Sequence, residues 1–345
     1  MDHPYIAPTA FVYGSNAKSL IRNKQALPLC GKKNIGFTKI IFNFRNRKNF
    51  CISVKEINNY KNIIAKKINN LTRKRKSICN LNLDFPKIFG VLNITPDSFS
   101  DGGKFYSTVS AVKQGGLMIK EGAHIIDIGG ESTRPGAITI AAKTEIKRIK
   151  DVVKKLNKNL ISIDTRKSEV MSCAINLGAN IINDVSALDY DKNSFNYVLK
   201  TKKPIVLNHS LGTPDLMQKN PRYKNVLFDI YDYFEKKIDK LVANGYPKKN
   251  IILDPGIGFG KNIKHNLQLI SKVSIFHSLG CPLMLGPSRK SFIGKIMKDN
   301  FKTNRIGGTI ASIIMGLNHG VQFFRVHDIT ECNEAIKIYE HFLNT

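Results

Sequence analysis

The sequence predicts an α/β fold, a (β/α)8 TIM barrel preceded by a small N-terminal extension, and three observations carry that expectation. From residue 87 onward, short apolar runs alternate with longer amphipathic stretches, the pattern of parallel strands joined by crossover helices. Eight such pairs fit into residues 87–345, the count and size of a closed eightfold barrel. At the C-terminal end of each run the chain turns polar, where such barrels place their reacting groups. A doubly wound open sheet uses the same alternation and is the alternative.

Residues 1–86 read as a separate, smaller unit of unassigned role. FVYG at 11–14 precedes a helix-like stretch at 16–25, and 36–44 has strand-like alternation. Residues 60–71 have helical spacing through Ile63, Ile64, Ile68 and Leu71, and LTRKRKS at 71–77 reads as a solvated helix end or linker. No catalytic constellation is visible in this unit. In the barrel, strands are expected at 88–92, 124–128, 160–163, 181–183, 204–207, 251–253, 282–285 and 321–326. Helices are expected at 109–121, 143–157, 168–177, 193–200, 226–244, 264–279, 305–318 and 329–343.

The chain has 54 Lys/Arg against 26 Asp/Glu, a net charge of +28. Half of that excess, +14, falls in residues 1–86. Such a balance invites nucleic-acid binding, but the cations are not interleaved with aromatic stacking platforms, so a lysine-rich compositional bias is the simpler reading and a nucleic-acid partner is not expected. Six cysteines, Cys30, Cys51, Cys79, Cys173, Cys281 and Cys332, are scattered without metal-ligand spacing, which suits a reducing compartment. No apolar run is long enough to span a membrane, and the N-terminus lacks a secretory layout. The expectation is a cytoplasmic protein without a membrane partner.

The strand ends supply the candidate site. They are Asn93; Glu131, Ser132, Thr133 and Arg134; Asp164; Asn183 and Asp184; Asn208 and His209; Asp254; Ser288 to Lys290; and Arg325 to Asp328. One polar residue there is normally a turn former, but eight in succession mixing carboxylates, amides and cations exceed what capping needs. Asp164, Asn183 and Asp254 suit a flat heterocycle with adjacent ring N–H and amino donors, and Lys290 suits its acceptors. For each aspartate, a hydrogen bond inside the barrel is the structural alternative. Arg134, Arg325 and His327, with Ser132, Thr133 and glycine-rich loops, suit phosphate. GIGFGK at 256–261 is no P-loop, because Pro255 stands where its first glycine is needed. Asn93 beside Asp97 is a weak Mg2+ signal. A heterocycle plus a diphosphate, without an activated Ser-His pair or catalytic cysteine, points to displacement of a phosphate leaving group.

Seven segments, GVLNITPDSFSDGG, IIDIGGESTRPGA, SIDTRKSEVM, INDVSAL, ILDPGIGFGK, GPSRKSFIG and FRVHDI, resemble in order and spacing the motif set of the dihydropteroate synthase family. YIAPTAFVYGS with PLCGKKNIGFTKI resembles the N-terminal extension of some alphaproteobacterial members. The resemblance implies condensation of 6-hydroxymethyl-7,8-dihydropterin diphosphate with 4-aminobenzoate to 7,8-dihydropteroate. By motif position it implies that Asp164, Asn183, Asp254 and Lys290 hold the pterin. Asn93, Thr133, Arg134, Arg325 and His327 would serve the diphosphate, with Mg2+ at Asn93. Phe99, Pro135, Phe259, Lys290 and Ser291 would form the 4-aminobenzoate pocket. Asp164, Lys290, Arg325 and His327 are the expected catalytic groups, and a homodimer is implied. One segment departs from the family: where M-H-M-Q-G or a close relative is usual, this chain has NHSLG at 208–212, so an apolar contact over the pterin is missing or remade. A pterin-dependent methyltransferase of the methyltetrahydrofolate type shares the Asp/Asn/Asp grammar without needing the anion set, and a non-catalytic pterin- or nucleic-acid-binding protein is a further alternative. A pyrophosphokinase fused within residues 1–86 is disfavoured by that unit's small size and lack of a carboxylate metal pair.

Overall fold

The computed structural model describes residues 4–95, 108–132, 137–212, 221–298 and 305–344. The N-terminal part is an antiparallel sheet of β1 (Tyr5–Tyr13), β2 (Leu27–Pro28), β3 (Ile35–Asn43) and β4 (Phe50–Ser53), with helices α1 (Gly14–Arg22) and α2 (Lys61–Thr72). β3 is central: β1 pairs along one side, and β2 and β4 share the other. Ile6, Phe37, Ile40 and Phe42 are buried in a core continuous with that of the barrel helices.

The barrel strands are β5 (Lys87–Asn93), β6 (Ile125–Gly129), β7 (Ile161–Asp164), β8 (Ile181–Asp184), β9 (Ile205–Asn208), β10 (Ile251–Asp254), β11 (Met284–Leu285) and β12 (Phe323–Val326). They pair in parallel in the order β10-β9-β8-β7-β6-β5-β12-β11. A bridge between Leu253 and Leu283, with the Leu253 N–H donating to the Pro282 carbonyl at 2.9 Å, joins the two ends. The circle is thereby nearly closed, which excludes the open sheet. Around it lie α3 (Thr108–Glu121), α4 (Ala142–Leu156), α5 (Ser168–Asn176), α6 (Ser194–Thr201), α7 (Val226–Ala243), α8 (Ile263–Ser271), α9 (Ser291–Ile296), α10 (Ile306–Asn318) and α11 (Ile329–Phe342).

Two-residue alternation sets the barrel's inside. Phe89, Ile125, Ile181, Val206, Ile252, Met284 and Phe323 point inward and pack together as an apolar floor, closed by Ile78 and Leu83 from the segment just before β5. That segment is a tight turn held by Ile78 and Leu81, whose N–H groups each donate to the other's carbonyl.

Two expectations are corrected. The helix expected at 264–279 ends at Ser271, and Val273–Leu279 continues as a buried 3-10 turn that stops at Gly280 with φ +84, a conformation glycine adopts without strain. Arg75, in the charge run expected to be solvated, is 6% exposed. Its guanidinium donates to the carbonyls of Asn70 (2.7 Å), Arg73 (3.2 Å) and His277 (3.0 Å), tying α2 to that 3-10 turn. The N-terminal sheet docks on α7 through Tyr5, whose ring stacks on Phe228 at 4.3 Å. Its hydroxyl donates to Asp232, while Arg45 bridges Asp229 and Asp232.

Candidate active site

The alternation that builds the floor also builds the site. Two residues after Ile125, Ile181, Val206, Ile252 and Phe323 come Asp127, Asn183, Asn208, Asp254 and Arg325. Each therefore stands on the same inward face one step nearer the strand's C-terminal end. Gly286 follows Met284 in the same way and leaves room there: a Cβ on it would lie 3.8 Å from Asp254 Oδ2. Asp164, Asn183, Asn208, Asp254, Phe259, Lys290 and Arg325 line one small pocket.

Arg325 ties the wall together. Its Nε donates to Asp127 Oδ2 at 2.6 Å and its Nη2 to Asp164 Oδ2 at 2.7 Å, while Asn183 Nδ2 donates to the same Asp127 oxygen at 3.1 Å. Asp254 Oδ1 accepts from the Gly256 N–H at 2.8 Å. The Lys290 ammonium sits 3.7 Å from the centroid of the Phe259 ring, and its stem lies against Gly258, where a Cβ would come within 2.9 Å. Asn93 closes the other side: its Oδ1 and the Asp164 side chain flank Gly129, 3.4 and 3.6 Å from where a Cβ would stand. Arg325 is thus held between two carboxylates at the pocket wall.

Burial shifts the charges. It pushes the Asp164 carboxyl up to about 7, against the pull of Arg325 and helped by Asp127. Asp254 is raised by burial too, opposed by the Gly256 N–H and Lys290. Lys290 falls to about 8 through burial and Arg325, with Asp254 and Asp164 opposing. Burial works against the Arg325 charge, yet Asp127 and Asp164 outweigh it and hold the guanidinium above its ordinary value.

His327 is pushed down to about 3 by burial and by Arg325, Arg289 and Lys290. Its backbone N–H donates to Ser288 Oγ at 3.2 Å, and its Nδ1 lies 3.1 Å from the same hydroxyl. A neutral ring accepting from that hydroxyl leaves Nε2–H as a donor, so His327 offers an N–H to an anion and no charge. The loop behind it is pinned by the Arg289–Asp328 ion pair and by Arg305 donating to the Arg289 carbonyl at 2.9 Å.

Other expected residues fall elsewhere. Asp184 caps its own loop, accepting from Ser186 and Leu188. His209 faces Lys261, Tyr223 and Tyr233 and does not line the pocket. Ser291 is exposed at the first position of α9, whereas Phe259, packed against Val185, stays in the pocket lining. Asp97, Phe99, Thr133, Arg134 and Pro135 lie outside the described residues. The residue reading missed Asp127, which sits inside an apparently apolar run, although its spacing from Ile125 places it in the pocket wall. It also missed Lys261, fully buried and donating to the carbonyls of His209 (3.1 Å) and Phe259 (2.9 Å), which fastens the glycine loop.

Among the described residues no group of three or more His, Cys, Asp or Glu could hold a metal ion. The hard amide oxygen of Asn93 nevertheless fits Mg2+, which keeps several waters and accepts substrate phosphates alongside one or two protein ligands. No helix of the described residues is long and apolar enough to cross a membrane.

Comparison with known proteins agrees with this geometry. The family model described as pterin binding enzyme matches residues 89–327. Dihydropteroate synthase of Escherichia coli K12 is 40% identical over 268 residues, covering 77% of this chain and 94% of that protein, and the Bacillus subtilis enzyme is 40% identical over 260 residues, covering 74% and 88%. The Yersinia pestis dihydropteroate synthase in a sulfonamide complex superposes with a TM-score of 0.74 at 37% identity, covering 78% of this chain and 99% of that one. The Xanthomonas albilineans enzyme with 7,8-dihydropteroate gives 0.70 at 32%, covering 77% and 96%. The matching region is the barrel and its strand-end groups, and on both counts the chain belongs to the dihydropteroate synthase family of pterin-binding enzymes.

Proposed function

We propose that this chain condenses 6-hydroxymethyl-7,8-dihydropterin diphosphate with 4-aminobenzoate, giving 7,8-dihydropteroate and diphosphate for folate synthesis, and that the C–O bond breaks before the amine attacks. The observation that carries the order of events is the charge of the pocket wall. Asp127 and Asp164 share the Arg325 guanidinium there, and Asp254 faces Lys290, Arg325 and Lys261. Carboxylates lining a pocket stabilise positive charge growing on a bound ring. Asp164, Asn183 and Asp254 take the ring's donors and Lys290 its acceptors. Asn93, Arg325 and the neutral N–H of His327 receive the departing diphosphate, together with Thr133 and Arg134. Asn93 would hold Mg2+, which when bound would supply charge neutralisation for that leaving group. Once the pterin is cationic, the aniline nitrogen adds through its lone pair and sheds a proton, so no strong base is required. Phe259, Lys290 and Ser291, with Phe99 and Pro135, orient the 4-aminobenzoate.

The enzyme works in the cytoplasm, consistent with its six free cysteines. It acts as a homodimer, a reading supported by the resemblance and by the exposed Met315 on α10. Residues 1–86 form the extension and 87–345 the catalytic barrel. Incubation with the pterin diphosphate, 4-aminobenzoate and Mg2+ yields dihydropteroate if the proposal is right; a folded sample that releases none overturns it.

A further inference from the structure

We propose that Lys261 is a positioning residue for the 4-aminobenzoate side of the pocket: by tying the glycine loop to the end of β9 it sets where the Phe259 ring stands, and through that ring the Lys290 ammonium. This rests on the reading above in which Phe259 and Lys290 orient that substrate, and assigns a task to a buried cation that the reaction itself leaves unused.

The loop at 256–260, GIGFG, cannot place itself. Three of its five residues are glycines, and all three hold positive φ, +72, +82 and +64. Such a stretch has the backbone freedom that glycine confers and few side chains with which to hold a shape, so groups outside it set its position. Asn266 on α8 accepts from the Gly258 N–H at 2.7 Å, and the Tyr223 hydroxyl donates to the Gly260 carbonyl at 2.9 Å. Lys261, 3% exposed, makes the connection to β9. Its Nζ donates to the Phe259 carbonyl at 2.9 Å and to the His209 carbonyl at 3.1 Å, and lies 3.2 Å from His209 Nδ1. Burial pushes the Lys261 pKa down to about 7, opposed by Asp254 and helped by Lys290. The two carbonyls need only two of its hydrogens, which both protonation states provide. The far end of the tie is firm as well, because the His209 ring meets Tyr233 edge to face at 4.9 Å. On the near side, the bond to the Phe259 carbonyl fixes the backbone from which the ring projects. That ring packs against Val185 in the pocket lining and carries the Lys290 ammonium 3.7 Å from its centroid. Lys261 is not itself among the residues that line the pocket, so it acts on the substrate through Phe259. Orienting groups displaced by an ångström or less lose much of their effect.

The test compares wild type with Lys261→Met, Phe259→Ala and the double variant, reading the KM for each substrate and the unfolding midpoint. Lys261→Met should raise the KM for 4-aminobenzoate about tenfold and leave that for the pterin diphosphate within about twofold, since Asp164, Asn183 and Asp254 are held by their strands. In the Phe259→Ala background the same substitution should add less than about twofold, because the ring through which it acts is gone. A residue that only holds the fold together would lower the midpoint and the active fraction while both KM values stay at wild type. That outcome overturns the proposal, as do equal rises in both KM values or effects of the two substitutions that multiply. If Lys261→Met fails to fold, Lys261→Gln, whose amide ends one bond short of the ammonium, decides by the same criteria. Wild-type enzyme that makes no dihydropteroate defeats the reaction itself; wild-type turnover with the 4-aminobenzoate KM unmoved in the Lys261 variant defeats only the role of Lys261.

Discussion

The floor and the rim of this barrel are made by the same strands two residues apart, and they obey opposite rules. At the floor, Phe89 meets Phe323 edge to face at 5.4 Å, and the seven strand residues that form it are apolar and without access to solvent. Each of those contacts can be rebuilt by other side chains of similar volume. One step up, Asp127 and Asp164 are buried but charged, and both depend on Arg325. Dispersion is spread over many partners, whereas a buried charge fails when one partner goes. The floor should therefore govern stability and the rim the reaction.

The most severe test removes charge at the rim without removing shape. Asp164→Asn keeps an acceptor for Arg325 but loses the negative charge assigned above to steadying the proposed pterin cation. kcat/KM should drop about 10³-fold, roughly 4 kcal/mol, with the fold intact by circular dichroism; a variant that keeps a tenth of its activity would dissolve the distinction between the two levels. At the floor, Phe323→Ala should cost about 3 kcal/mol of unfolding free energy in a urea titration. Both KM values should stay within about twofold of wild type, although the substitution lies two residues from Arg325.

A smaller effect is the pH profile. The Asp164 carboxylate takes up its proton as pH falls through about 7, and Lys290 loses its proton as pH rises through about 8, so kcat/KM should form a narrow bell falling on both sides. In Asp164→Asn the acid limb should vanish while the alkaline limb stays. An acid limb near pH 4 in wild type would show that the carboxylate is not held in the environment described.

The barrel was legible because strand length and alternation are local. So were the pocket-lining residues Asp164, Asn183 and Asp254, which end apolar runs directly, and Lys290, five residues beyond one. Asp127 was hidden because IIDIG reads as one run whose end seems to lie at Ile128; only the phase relative to the floor reveals it. The role of Arg325 was half legible. A cation at a strand end suggests an anion in solution, but its partners Asp127 and Asp164 lie 198 and 161 residues away, and ring closure alone brings them together. His327 reads as a cation in sequence and is a neutral donor in the fold, because burial and three neighbouring cations are not visible in one dimension. Arg75 was misjudged for the mirror-image reason, since the His277 carbonyl of a 3-10 turn two hundred residues away helps to receive it.

The turn carrying Ile78 and Leu83 sets where the catalytic part of this chain can be said to begin. By sequence resemblance the boundary falls just before Lys87, yet the stopper of the barrel lies on the far side of that line. A chain trimmed to the recognisable motifs would have an uncorked vessel, its apolar bottom open to water. The unit of inheritance and the unit of folding differ here by at least nine residues, so partition of this enzyme has to follow the cork and not the motif.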